Sequence, residues 1–117
     1  MILWLAGHNH EHKVEKVAAE GVRGFWHIQT ASNIDWPQQG RIVEILEEAG
    51  RIAIATTVFD HQGTIRDDFA QANLNDPTEL AGLSRALAGN DWQRRSGEFD
   101  LELMAGKVED RNRILWL

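Results

Sequence analysis

The first six residues, Met1-Ile2-Leu3-Trp4-Leu5-Ala6, are apolar without a break, and Gly7-His8-Asn9-His10 follows at once. In an extended chain this run is apolar on both faces, with Ile2, Trp4 and Ala6 on one and Leu3 and Leu5 on the other. A strand of that kind calls for cover on both sides, which predicts a central place in a layered fold. Central strands seldom begin at a chain's first residue. The expectation is therefore that these 117 residues are the C-terminal portion of a longer protein. The run is too short to span a membrane, which takes ~20 apolar residues. It also lacks the basic n-region of a signal peptide.

Composition narrows the function classes. Lys and Arg number 12 against 18 Asp and Glu, a net charge of −6. That balance argues against a broad nucleic-acid or anionic-membrane surface. With no cysteine, disulfides, thiolate metal ligands and a cysteine nucleophile are all excluded.

Further along, Gly7, Gly21 and Gly24 punctuate residues 7–24, which read as loop. Phe25 to Thr30 reads as a strand, and Asn33 to Gly40, with Pro37, as a connecting loop. Arg41–Glu47 and Arg51–Phe59 are β-branched runs joined tightly by Glu48-Ala49-Gly50, a hairpin. Asp76 as N-cap, Pro77 in the first turn and Glu79 as the partner of a capping box predict a helix from Pro77 to Ala88. Its apolar face is Leu80, Leu83 and Leu87, and Gly89-Asn90 stops it. Glu98 to Met104 alternates as a half-exposed strand, and Arg113 to Leu117 as a final one. The fold class is α+β, β-rich, with one clear helix.

Chemistry concentrates at Gly7-His8-Asn9-His10-Glu11-His12. Neutral imidazole is a common ligand for Zn, Mn and Fe, and a glycine at a strand end lets the backbone turn sharply. By spacing alone, a lone His-x-His reads more readily as a polar surface loop than as a ligand pair.

The context is more specific. An apolar strand running into Gly-His-x-His resembles the last metal-binding motif of calcineurin-like metallophosphoesterases. The stretch from Gly24-Phe25-Trp26 through Thr30-Ala31-Ser32-Asn33-Ile34-Asp35-Trp36-Pro37-Gln38-Gln39 is similar to the tail of one bacterial subgroup of that family. Thr56-Thr57-Val58-Phe59-Asp60-His61 and Glu109-Asp110-Arg111-Asn112 also resemble segments of that subgroup.

The resemblance implies a four-layer αββα sandwich around two divalent metals, Mn, Fe or Zn, which activate water for in-line attack on a phosphate ester. Residues 1–72 would be sandwich strands carrying the metal-ligand loop 7–12, and 73–117 a family-specific tail with one helix. His8 would ligate one metal and His10 the other. Asn9, His12, Asn33, Asp35 and Trp36 are the candidates to line the cleft.

The family's other metal motifs, DxH, GDxxD and GNH[DE], do not occur in this sequence. The expectation is a C-terminal fragment of a dinuclear phosphoesterase. It would be inactive alone, bind metal weakly or singly, and associate with itself through exposed apolar edges. The alternative is a non-catalytic β-rich interaction or metal-binding module.

Other residues have plainer readings. His12 reads as a solvated loop histidine, His27 and Trp26 as packing residues within a strand, and Asp60-His61 as a turn dipeptide rather than an acid/base pair. Arg94-Arg95 reads as a solvated pair.

Overall fold

A computed structural model describes residues 1–91 and 101–117. Two three-stranded sheets share one core. The first sheet holds β1 (Leu3–Ala6), β2 (Lys13–Ala19) and β3 (Val22–Gln29) in the order β1-β3-β2. β1 runs parallel to β3, and β2 is antiparallel to it. The second is the antiparallel sheet β4 (Gly40–Glu48), β5 (Arg51–Phe59) and β6 (Arg113–Trp116). Helix α1 spans Pro77–Gly89, and a short α2 spans Leu101–Ala105. The α+β, β-rich class holds. Among the described residues, no helix is long and apolar enough to cross a membrane.

Val14 and Ile28 from the first sheet meet Ile54 and Leu115 from the second, with Leu3, Trp26 and Val43 packed around them. Burial of such side chains stabilises by ~1.5–3 kcal/mol each. The molecule is a thin slab, 58 × 33 × 19 Å.

Three of the expectations for strands and loops are corrected. Residues 7–24 are not one loop, because β2 and the start of β3 lie within them. Charged Lys13, Glu15 and Lys16 hide the alternation, and Lys16 lies with its amine 5.7 Å from the centre of the Trp26 ring. The register also shifts between Val17 and Ala19. Second, β1 is an edge strand in this chain, and Trp4 and Leu5 are 55% and 56% exposed. Third, the run expected as strand Glu98–Met104 is helical from Leu101 onward. Leu, Glu and Met are strong helix formers, and that local preference wins over the short alternation here. Glu98 to Asp100 lie outside the described residues.

The hairpin forms as expected. Ala49 and Gly50 alone connect β4 to β5, and both have positive φ, 51° and 74°. That is the two-residue turn whose twist matches paired strands. In α1 the Asp76 side chain accepts from Thr78 N–H and Glu79 N–H. Glu79 does not complete a capping box. Its carboxylate takes Asn73 N–H at 2.7 Å and Arg66 at 2.6 Å. The buried face is Gly82, Leu83 and Ala86, whereas Leu80 and Leu87 are exposed. Gly82 sets this face by letting the helix press on the Thr64 carbonyl, where a Cβ would collide.

Candidate functional site

Ala6 stands opposite Gln29 in the parallel register of β1 and β3, so both strands end at one place. Ala6 O accepts from Thr30 N–H at 3.0 Å. The loops 7–12 and 30–39 therefore leave the sheet side by side. In open parallel sheets the carboxyl ends of the strands are where ligand sites form.

The first loop is tightly wound. Asn9 N–H donates to Gly7 O at 3.1 Å. His8 and His10 have φ of 81° and 58°, a region that costs a non-glycine residue ~1–2 kcal/mol. Such a conformation persists only where surroundings hold it.

Two sets of contacts do so. His10 Nδ1 lies 2.6 Å from Asp35 Oδ2. Asp35 is itself fixed by Ser32, whose Oγ accepts from Ile34 N–H at 3.1 Å and Asp35 N–H at 3.0 Å. A carboxylate on Nδ1 selects the tautomer with its lone pair on Nε2, the arrangement in which histidine ligates metals. Beneath the loop, the buried Gln29 accepts from Asn9 Nδ2 at 3.4 Å and donates to Glu11 Oε1 at 3.1 Å.

His12 turns the other way. It is 2% exposed rather than solvated. Ala31 N–H and Arg41 both donate to its Nδ1, at 3.4 and 3.1 Å, which places the ring proton on Nε2. Burial, then the charges of Arg41 and Arg111, lower its pKa to about 4. The residue is a neutral member of a buried polar knot. Arg41 also donates to Asp110 O and Arg111 O, and the Asp110 carboxylate accepts from Val14 N–H.

Of the remaining candidates, Asn33 is exposed on its loop. Trp36 Nε1 donates to Leu101 O at 3.0 Å. The Trp36 ring lines a cavity of about 490 Å³ with Arg66, Arg85, Gly89 and Asn90. His27 bonds to Glu15 at 3.0 Å, within its strand pair. Trp26 is half-buried against the core and donates to Trp116 O. Asp60 pairs with Arg85 and Gln39, while His61 accepts from Gly63 N–H, so the two do not act together. Arg94 and Arg95 lie outside the described residues.

The site thus joins His10, Asp35, Asn9, Gln29 and Glu11. Gln29 carries no motif and ends an ordinary strand, so nothing in the sequence singles it out. Among the described residues, no group of three His, Cys, Asp or Glu side chains is placed to hold a metal. His8 and His10 would be two ligands of a centre that needs more. No protein-family model, curated protein or solved structure matches this chain.

Proposed function

We propose that this chain supplies the histidine arm of a dinuclear metal-dependent phosphoesterase, with His8 and His10 as ligands. The observation that carries the reading is the His10–Asp35 pair at 2.6 Å. It ties the Gly-His-Asn-His loop to the Thr-Ala-Ser-Asn-Ile-Asp-Trp segment, two of the stretches on which the family resemblance rests. Carboxylate–histidine pairing is the support that metal-ligating imidazoles ordinarily have. On this reading the two sheets are the inner layers of a four-layer αββα sandwich, and the substrate is a phosphate ester.

Divalent cations (Mn, Fe or Zn) supply Lewis acidity toward the ester and lower the pKa of water. The chain's own part is to hold. His8 and His10 would donate lone pairs to the metals, Asp35 would fix the tautomer and orientation of His10, and Ser32 holds the Asp35 backbone. The remaining ligands come from outside these residues, so the chain alone hydrolyses no ester.

The test is a titration of the 117-residue chain with Mn²⁺, Zn²⁺ and Co²⁺ beside His8→Ala and His10→Ala. Weak binding of a single ion, lost in at least one of the two variants, is the expected result. Binding indifferent to both histidines overturns the reading. So does tight two-metal binding, or turnover of a phosphodiester by the chain alone.

The interaction-module reading draws on a separate observation, the exposed apolar side chains Ile42, Leu46, Ile114 and Trp116 on strands of the second sheet. Apolar surface of that kind marks contact sites.

A further inference from the structure

We propose that Gln29 is a positioning residue whose buried amide clamps both chain neighbours of His10, Asn9 and Glu11, and so sets how His8 and His10 are presented; the inference rests on the metal-ligand reading of those histidines. Gln29 is the last residue of β3 and sits opposite Ala6 in the parallel pair. Its backbone is held by the sheet, and its side chain belongs to a residue only 4% exposed.

A buried amide must satisfy both its ends. Here the two ends have different partners. The oxygen takes Asn9 Nδ2 at 3.4 Å, and the nitrogen gives a proton to Glu11 Oε1 at 3.1 Å. Both partners flank His10 in the chain. The bonds therefore act on the backbone that carries the ring, whereas Asp35 acts on the ring itself. The two restraints are independent. A clamp is needed because His8 and His10 both occupy the left-handed region, which the loop does not keep by local preference. An apolar residue of similar volume at position 29 would fill the same space and pin neither neighbour.

Gln29→Glu tests this at constant shape. The new carboxylate still accepts from Asn9, but it faces Glu11 with a like charge and no donor. In ¹H–¹⁵N spectra of the metal-free chain, the amides of residues 8–11 are expected to shift and to exchange faster. Affinity for Co²⁺ is expected to fall about tenfold, the scale of lost outer-shell support. Adding Glu11→Gln to Gln29→Glu restores a donor opposite an acceptor, and both readouts are expected to return. If Gln29→Glu does not fold, Glu11→Ala at the half-buried partner cuts the same arm and is expected to move the spectra in the same direction.

Unchanged spectra with Co²⁺ affinity within twofold of wild type overturn the proposal. So does failure of Glu11→Gln to rescue. If the wild-type chain binds no Co²⁺ through His8 and His10, the metal reading falls instead. The clamp is then decided by the amide spectra alone: shift and rescue uphold it, and their absence overturns it.

Discussion

His10 Nδ1 and Asp35 Oδ2 stand 2.6 Å apart, joining the loop after β1 to the loop after β3. Both side chains are partly solvated, so the pair adds no more than ~1 kcal/mol to stability. Its weight is in orientation. Asp35→Asn is expected to leave the melting temperature within a few degrees while weakening Co²⁺ binding about tenfold. A thermal scan reads the first effect and calorimetric titration the second, and equal affinity for variant and wild type would contradict the assignment.

His12 makes stability depend on pH. Its pKa falls from the ordinary 6.5 to about 4 in the folded chain. The unfolded chain therefore takes up the proton first as pH drops. The stabilisation is complete above about 6.5 and is lost as pH falls through about 4. The whole effect is of order 3 kcal/mol. Urea unfolding at pH 7.5 and 4.5 is expected to show the loss in wild type and a smaller loss in His12→Gln. Equal pH dependence in the two would remove His12 as the cause.

Ala49 occupies a left-handed position, φ 51°, in the turn between β4 and β5. Asparagine tolerates that conformation, and Asn-Gly is the preferred pair for such turns. Ala49→Asn is expected to stabilise by about 1 kcal/mol, or roughly 4–8 °C in melting temperature. No gain in thermal unfolding would mean that the turn is not held in this form.

Gly82 separates packing from propensity. In an exposed helix, Gly→Ala gains about 1 kcal/mol. At Gly82 the added Cβ collides with the Thr64 carbonyl. Gly82→Ala is expected to destabilise by about 1–3 kcal/mol. Stabilisation measured in denaturant would show that α1 does not press on residue 64.

Among the described residues, β1 has one edge without a neighbouring strand; it carries no charged residue, and Trp4 and Leu5 are exposed. β2, β4 and β6 carry Lys13 and Glu15, Glu44 and Glu47, and Arg113, the charges that discourage edge pairing. Light scattering is expected to show mass rising with concentration in wild type and less so in Leu5→Lys. A wild-type chain that stays monomeric at high concentration would refute this.

The elements that could be read from sequence were those whose signals are local. The Ala49-Gly50 hairpin and the Asp76-Pro77 helix start are written within a few residues, and the structure contains both. β2 was not readable because Lys16 shares a face with Val14 and lies over Trp26, a contact across the strand pair. The burial of His12 depends on Arg41, Asp110 and Arg111, far along the chain. In the candidate site, the family resemblance marks His8 and His10, where spacing alone favours a polar surface loop. Asp35 is marked there only as a cleft candidate and Gln29 not at all, because both reach the loop only once β1 and β3 lie in parallel.

The route by which β6 joins its sheet also orders assembly in time. β4 and β5 meet across two residues, whereas Ala53 pairs with Trp116 and Thr56 with Arg113 across roughly sixty positions, a closure with a much larger entropic cost. Hairpins form in microseconds, and distant pairings wait for the chain to search. Leu115 sits on β6 and belongs to the shared core, so the early hairpin lacks one of its main apolar contacts. Docking of residues 113–116 is therefore expected to follow the hairpin, and until then Ile54 lacks its Leu115 neighbour in the core.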